Sequence, residues 1–353
     1  MAKKICGIQQ IGFGIPNVDE AWKWYIDNFG MDVPIFRESA EAKLMIRYTG
    51  NEVHARDAAL AMNLQGGGGA EIWQFTSRTP QKADFNFEVG DLGIYSAVFK
   101  SKNVKAAYEN FKKRGVNILG ELSKDPQGND VFFVQDPYGM IHTVSYGVDW
   151  FTSGNHVTGG ITGAILGTSD IDKILPLYQE VLGYDKLVYD KSGEFEDLAQ
   201  LPGGKGRQFR RVLLTVSKKP QGGFSNLLGT TRIELIQALN YDGKKMFKDR
   251  FWGDIGFIHL CFDVQDMNDL RKSCENAGYP FTVDSANSFD MGEAAGHFSY
   301  IEDHDGTLIE FVETHKIPIL KKIGWYLDLR KRNPEKPVPA WMLKTLSLNR
   351  VKK

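Results

Sequence analysis

The sequence predicts an α+β protein built from four βαβββ units, followed by a C-terminal extension. Two internal repeats lead to this prediction. Residues 89–99 align without gaps with residues 252–262, and residues 11–30 correspond to residues 165–183. In the second repeat, each copy is followed by a strand of the same type, at residues 70–74 and 233–237. Self-similarity of this kind indicates a duplicated module, and each module consists of two units.

The four units cover residues 5–77, 90–147, 160–240 and 254–315. The first and third units begin their helices at Asn17 and Asp170, residue types that favour a helix N-terminus. Helices are predicted over residues 104–115 and 267–278, because a glycine directly follows each run of helical spacing. The glycine run at residues 66–69 lies between two predicted strands and no lysine follows it, which favours a hairpin loop over a phosphate cradle.

These units divide the chain into four parts. Residues 1–148 form the first module, residues 149–159 a linker, residues 160–315 the second module, and residues 316–353 a basic C-terminal arm. The composition, with 42% hydrophobic and 25% charged residues, is ordinary for a globular protein. With no signal peptide or membrane-length apolar run, we expect a cytoplasmic protein. Cys6, Cys261 and Cys274 are too scattered for a disulfide framework and are interpreted as core residues.

Two polar residues interrupt apolar strands in the fourth unit. His259 lies within the run 255–262, and Glu310 follows the turn Asp303-His304-Asp305-Gly306. Burying such groups without partners is costly. A divalent metal ion is one partner that would satisfy both.

This arrangement resembles the vicinal oxygen chelate superfamily, which includes glyoxalase I, extradiol dioxygenases and bleomycin resistance proteins. The marks are residues 303–306 followed by Ile309-Glu310, a weaker copy at Asp136-Pro137-Tyr138-Gly139, and the stretch from Gln10-Ile11-Gly12 to Val18. The resemblance covers nearly everything up to residue 315. It implies two vicinal-oxygen-chelate modules with cup-shaped mixed sheets, each cup binding metal through up to four strand positions.

Carried over residue by residue, the resemblance gives two ligand positions in each unit. They are Gln10 and Glu71 in the first unit, Ser96 and Thr143 in the second, Gly163 and Glu234 in the third, and His259 and Glu310 in the fourth. Ser96, Thr143 and Gly163 depart from the family pattern, because a neutral hydroxyl or a glycine is a poor ligand for these metals.

Two pairings of the units remain open. If neighbours in sequence pair, Glu234 joins His259 and Glu310. If the first unit pairs with the fourth, Gln10 and Glu71 join them instead, and the other cup keeps only Glu234. We favour the second pairing, since it gathers a glyoxalase-like set in one cup.

The predicted cofactor is one divalent ion, with Zn, Ni, Co, Mn and Fe all compatible with a mixed nitrogen and oxygen ligand set. The site predicts a metal-dependent isomerase, epimerase or lyase acting through a metal-stabilised enediolate on a small molecule with vicinal oxygens. Glu310, or Glu71 if the first unit pairs with the fourth, would be the general base.

Two alternatives stay open. An Fe(II)-dependent extradiol-type dioxygenase would need a second histidine, which only His156 or His297 could supply by an unusual geometry. A metal-free binding or resistance protein would use an aromatic-lined cup.

The remaining features bear on partners. The arm allows membrane-surface contact, but packing on its own body or on a partner subunit, as in a homodimer, is favoured. No nucleic-acid recognition motif accompanies its charge. His142, His304 and His315 are interpreted as surface residues.

Overall fold

In a computed structural model of the chain, residues 3–286, 289–290, 295–320 and 325–351 are described. The first half of the chain contains eight strands and two longer helices. They are β1 (Lys4–Gly14), α1 (Val18–Phe29), β2 (Val33–Glu41), β3 (Ala55–Met62), β4 (Gly69–Phe75), β5 (Gly93–Ser101), α2 (Val104–Lys113), β6 (Ile118–Lys124), β7 (Asp130–Gln135) and β8 (Ile141–Tyr146). A 3-10 helix, Lys43–Tyr48, follows β2.

The second half repeats this order and adds the C-terminal arm. Its elements are β9 (Ile161–Gly167), α3 (Ile171–Pro176), β10 (Lys186–Gly193), α4 (Glu196–Ala199), β11 (Phe209–Thr215), α5 (Ser225–Leu228), β12 (Arg232–Ala238), β13 (Gly256–Gln265), α6 (Met267–Asn276), β14 (Val283–Asp284), β15 (Phe289–Asp290), β16 (Ala295–Glu302), β17 (Leu308–Thr314), β18 (Lys316–Leu320), β19 (Trp325–Asp328) and α7 (Ala340–Lys344). A π-helical turn, Leu177–Val181, extends α3.

The principal helices begin where the sequence predicts, and α2 and α6 end two residues before the predicted positions 115 and 278. The side chain of Asn17 accepts hydrogen bonds from the backbone amides of Asp19 and Glu20, which caps α1. Asn103, Asp170 and Asp266 cap their helices in the same way. Gly30 ends α1 in the left-handed region at φ 67°, a conformation that a glycine adopts without steric cost.

The strands form two large sheets, and the order of strands in each sheet fixes how the units pair. The first sheet has the order β14-β16-β17-β13-β1-β4-β3-β2, with β15 beside β16, and the second has the order β10-β11-β12-β9-β5-β8-β7-β6. The first unit therefore shares a sheet with the fourth, and the second unit with the third. This is the second of the two pairings considered above, the one that the sequence favoured.

The two central strand pairs show the same design. β1 runs antiparallel to β13, and β5 runs antiparallel to β9. At the close of each pair a glycine meets backbone: a Cβ on Gly14 would lie 1.9 Å from the carbonyl oxygen of Asp254, and one on Gly167 would lie 1.7 Å from that of Asp91. Asp254 and Asp91, which occupy equivalent positions in the aligned segments, thus approach the end of each central strand pair.

Helices pack on one face of the sheets and form the main core. Phe13, Tyr25, Phe29, Phe99 and Phe262 are among its fully buried residues. Cys6, Cys261 and Cys274 are buried free thiols, in agreement with the interpretation as core residues. Within the described residues, no helix is long and apolar enough to cross a membrane.

The C-terminal arm packs on its own chain. Val338, Met342 and Leu343 are buried against a set of apolar side chains that includes Val33, Met62, Leu64, Leu227 and Leu228. The backbone amide of Val338 donates to the carbonyl of Gly223 at 2.8 Å. The prediction allowed packing on the body or on a partner subunit, and these contacts are made with the body.

Candidate metal centre

Strand register brings four predicted ligands together on one face of the first sheet. Along β1 and β13, Gln10 lies opposite Cys261 and Gly12 lies opposite His259. Glu71 on β4 is level with Gly12, and Glu310 on β17 is level with Cys261. Four adjacent strands therefore each contribute one side chain to the same place.

The distances among these side chains are short. The Nε2 atom of His259 lies 2.9 Å from Oε2 of Glu71 and 3.2 Å from Oε2 of Glu310. The amide of Gln10 donates to the same Glu71 oxygen at 3.1 Å and to the Glu310 oxygen at 3.4 Å. Ligand atoms of Glu71, His259 and Glu310 all lie within 4.8 Å of one another.

The donor set fits a divalent cation. Within the described part of the chain, Oε1 of Gln10 is a buried atom without a hydrogen-bond partner, and Nε2 of His259 faces the carboxylate oxygens of Glu71 and Glu310. Two carboxylates, one imidazole nitrogen and one amide oxygen converge, and mixed nitrogen and oxygen sets suit several divalent first-row metals. The side chains of Glu71 and Glu310 keep 12% and 10% exposure. A cation bound by these atoms would thus give Oε1 of Gln10 a partner and offset two neighbouring negative charges.

Gly12 leaves room for the imidazole. A Cβ at this position would lie 2.6 Å from Cε1 and 2.8 Å from Nε2 of His259. Such distances are far inside van der Waals contact, so any larger residue would displace the ring. The glycine in the Gln10-Ile11-Gly12 motif has a packing reason that the sequence alone did not reveal.

Burial and neighbouring charges together raise the pKa values of Glu310 and His259 and lower that of Glu71. Burial raises the pKa of Glu310, and the neighbouring Glu71 carboxylate raises it further. Burial also acts to raise the pKa of Glu71, but its contacts with His259 outweigh this, and the pKa is lowered. Burial acts to lower the pKa of His259, but the charges of Glu310 and Glu71 raise it. Glu71 is therefore the carboxylate that stays ionised, and Glu310 is the one that accepts a proton more readily.

Aromatic residues that the sequence did not identify surround the centre. The ring of Trp252 stacks on His259 with centroids 6.2 Å apart, and Tyr300 meets the imidazole edge-on. The Tyr300 hydroxyl lies 3.3 Å from Nδ1 of His259. Tyr300 lies on β16 directly opposite Glu310, a pairing between strands that spacing within one strand does not reveal. Trp252 also lines a cavity of about 420 Å³, whose lining does not include the four candidate ligands.

The second sheet has a different cluster at the equivalent positions. It corrects the alternative in which Glu234 joins His259 and Glu310. Glu234 lies on β12, in the sheet without His259. It accepts hydrogen bonds from Nε of Arg211 at 2.7 Å and from the Tyr189 hydroxyl at 2.6 Å. Arg211 also pairs with Asp197 at 2.7 Å. A buried guanidinium thus supplies the positive charge here, and Glu234 does not join His259 and Glu310.

Other contacts replace metal ligands at Ser96, Thr143 and Gly163, the three positions that depart from the family pattern. The hydroxyls of Ser96 and Thr143 hydrogen-bond to each other at 2.8 Å. At Gly163, a Cβ would lie 2.6 Å from the carbonyl oxygen of Arg232, so Arg232 occupies the space of a ligand. The remaining cavity is about 30 Å³, enough for a water-sized group only.

The other histidines lie away from the centre. The prediction of surface positions is right for His304 but wrong for His142 and His315, which are buried. His142 lies among aromatic rings and 3.1 Å from the Tyr25 hydroxyl.

His297 pairs with Asp284 at 2.5 Å, and the ring of His156 faces Gly30. Neither of these last two supplies a second imidazole to the centre.

Comparison with known proteins agrees with this architecture. A family model described as Glyoxalase/Bleomycin resistance protein/Dioxygenase superfamily matches residues 7–141, and a second model with the same description matches residues 164–298. Together the matches cover more than half of the chain. The chain therefore belongs to this superfamily, with two vicinal oxygen chelate modules.

Solved structures with the same fold share little sequence identity with it. A putative dioxygenase from Bacillus subtilis is 16% identical, with a TM-score of 0.56, and the match covers 88% of this chain and 86% of that one. Glyoxalase I from Zea mays is 13% identical, with a TM-score of 0.52 and coverage of 88% and 92%. A search of curated protein sequences found no match.

Proposed function

We propose that this protein is a metal-dependent isomerase, epimerase or lyase that acts on a small molecule with vicinal oxygens. The proposal extends superfamily membership, which by itself leaves the reaction open. The observation that carries it is the convergence of Gln10, Glu71, His259 and Glu310, with the buried Oε1 of Gln10 lacking a partner.

The residues of the centre would divide the work of binding and proton transfer. Glu71, His259 and Gln10 would hold the cation, and Glu310 would hold it or release it. When bound, a divalent ion polarises neighbouring substrate oxygens and stabilises the negative charge of an enediolate-type transition state.

Glu310 is the better candidate for the general base. Its raised pKa makes it the stronger proton acceptor of the two carboxylates, whereas Glu71 is held ionised by His259 and Gln10. A base must be within hydrogen-bond reach of the proton that it removes. Glu310 would remove the proton from the carbon beside the polarised oxygens and return it to the neighbouring carbon.

Tyr300 and Trp252 would orient the imidazole. A hydroxyl that accepts from Nδ1 leaves the lone pair of Nε2 directed at the cation, and such second contacts fix the tautomer of metal-binding histidines. Trp252 packs on the ring face and limits access of water to the same side.

A dioxygenase is the second candidate, because one structurally similar protein is titled a putative dioxygenase. The centre offers one histidine and two glutamates, whereas Fe(II) oxygenases typically use two histidines and one carboxylate. The isomerase or lyase therefore remains the stronger proposal.

Metal titration followed by an exchange assay tests the proposal. We expect the metal-free protein to bind one Mn²⁺ or Zn²⁺ per chain by calorimetry, and His259→Ala to lose that binding. The loaded enzyme should exchange the α-proton of a simple α-hydroxyketone for deuterium in D₂O, and Glu310→Gln should abolish the exchange.

Two outcomes would contradict the proposal. The first is an absence of divalent metal binding, which would favour a metal-free binding protein. The second is metal binding without proton exchange, accompanied by oxygen consumption when Fe(II) and a catechol are supplied.

A further inference from the structure

The C-terminal arm, residues 316–353, carries a charge opposite to that of the body. It contains eleven Lys and Arg residues against Asp328 and Glu335, a net charge of +9. Since the whole chain has a net charge of -1, residues 1–315 carry -10. This feature lies outside the metal centre and outside both matched family regions.

The last part of the arm is held in a fixed orientation. Met342 and Leu343 on α7 are buried against the body. Beyond α7, the backbone amide of Val351 donates to the carbonyl of Asp32 at 2.9 Å, and the Arg350 guanidinium pairs with the Asp32 carboxylate. The opposite side of this segment must therefore face outward.

The outward side exposes large apolar residues beside cations. Trp341 is 59% exposed and Leu348 is 79% exposed, the largest values among the exposed large hydrophobic residues of the described chain. They are seven residues apart in consecutive helical turns, a spacing that places both on one side. Lys344 lies exposed between them. Within the described residues, neither Lys344 nor Lys336 forms an ion pair with a carboxylate.

We propose that this side of the arm docks on an anionic lipid bilayer. Trp341 and Leu348 would enter the interface between headgroups and acyl chains, while Lys336, Lys344 and neighbouring basic residues would contact lipid phosphates. Amphipathic segments with Trp and Leu on the apolar side and Lys and Arg beside them bind membrane surfaces in this way.

The observations favour a bilayer over a second copy of the chain. A specific protein interface typically buries more than about 1,000 Å², and two separated side chains with a lysine between them do not form such a patch. The arm is positive and the body negative, so an anionic surface attracts the arm and repels the body. This charge distribution would orient the protein with its arm toward the lipid.

Vesicle co-sedimentation of the full-length protein tests the proposal. Point variants are preferable to truncation, because removing the arm would uncover Val33, Met62 and Leu64. Wild-type protein should bind vesicles of phosphatidylcholine with phosphatidylglycerol and dissociate from them as salt is raised, and it should bind pure phosphatidylcholine weakly with little dependence on salt.

The variants separate the apolar from the electrostatic contribution. The double variant Trp341→Ser/Leu348→Ser should lower partitioning by about tenfold or more, since burial of each side chain contributes a large share of the affinity. Lys336→Gln/Lys344→Gln should lower it by roughly fivefold per charge on anionic vesicles only. The matched control is Leu187→Ser/Leu239→Ser, two leucines of the body that are 53% and 51% exposed, and it should bind like the wild type.

Three results would overturn the proposal. They are an absence of wild-type binding to anionic vesicles, an equal loss of binding in the control variant, and a Trp341→Ser/Leu348→Ser variant that turns a dimer into a monomer in sedimentation velocity without changing vesicle binding. Because none of these results involves metal, failure here leaves the proposed enzymatic function standing.

Discussion

Gly12 and His259 pack as one unit, and a methyl group at position 12 is expected to disturb the metal centre. Gly12→Ala would place a Cβ 2.6 Å from Cε1 of the imidazole, so the ring must rotate or β1 must shift. We expect metal affinity to fall at least tenfold, roughly the cost of losing an orienting contact at a metal ligand. Calorimetric titration with Mn²⁺ measures the loss.

Gly163→Ala is the matched control for this substitution. Its Cβ would also clash, at 2.6 Å from the carbonyl oxygen of Arg232, but in the other sheet. It should lower the free energy of unfolding without lowering metal affinity. Equal metal affinity in Gly12→Ala and the wild type would contradict the packing argument.

Asp263 is a buried carboxyl whose titration should make stability depend on pH. The residue is 3% exposed, and burial raises its pKa to about 7. A raised pKa means that the folded state holds the proton more tightly than the unfolded state. Stability is therefore lost as the pH rises from the unfolded pKa toward 7, and no more is lost above that value.

Asp263→Asn should remove this loss. The free energy of unfolding of the variant, relative to that of the wild type, should rise by roughly 2–3 kcal/mol between about pH 5 and about pH 8. The reason is that each pH unit up to the folded pKa costs the wild type about 1.4 kcal/mol of stability. Urea unfolding at both pH values measures it, with Asp84→Asn on the surface as the control. A stability difference from wild type that is the same at both pH values would show that Asp263 is ionised in the folded protein.

At the scale of elements, β11 and β12 hold the buried guanidinium of Arg211 where β1, β4, β13 and β17 bring together the candidate metal ligands. Arg211 is 2% exposed and pairs with Glu234 and Asp197. Removing one partner of a buried ion pair leaves a buried charge uncompensated.

Arg211→Met should therefore cost about 3–5 kcal/mol of stability. Arg210→Met, one residue away on the same strand, breaks exposed pairs with Asp190 and Asp172 and should cost less than about 1 kcal/mol. Chemical denaturation of both variants measures the difference, and metal content should stay at the wild-type level in both. A loss of metal in Arg211→Met would contradict the separation of the two centres.

The elements themselves were largely predictable, because local signals specify them. Helices α1, α2 and α6 begin at capping side chains and have the predicted apolar spacing. The alignment of residues 89–99 with 252–262 identified β5 and β13 as equivalent strands. The arginine that neutralises Glu234 was not predictable, since Arg211 lies on a different strand and only register across β11 and β12 brings the two together.

At the scale of the whole molecule, the pairing of units decides which residues form the centre. Gln10 and Glu310 are 300 positions apart in sequence and 3.4 Å apart in the fold. Single-sequence periodicity shows that a strand has a buried face but carries no information about its neighbour in the sheet. The sequence therefore named the four residues that converge here as candidate ligands and left their grouping to a choice between two pairings, with Glu234 as the competing residue. Tyr300 and Trp252 escaped prediction for the same reason.

The most direct test of the account is metal affinity in two variants that make the same chemical change, Glu71→Gln and Glu234→Gln. Each should be titrated with Mn²⁺ or Zn²⁺ after its folding is verified by circular dichroism. We predict that Glu71→Gln lowers the affinity at least about 100-fold, beyond the cost of losing an orienting contact, while Glu234→Gln binds one ion per chain with wild-type affinity. Loss of binding in Glu234→Gln with retention in Glu71→Gln would contradict a metal centre built from the first and fourth units.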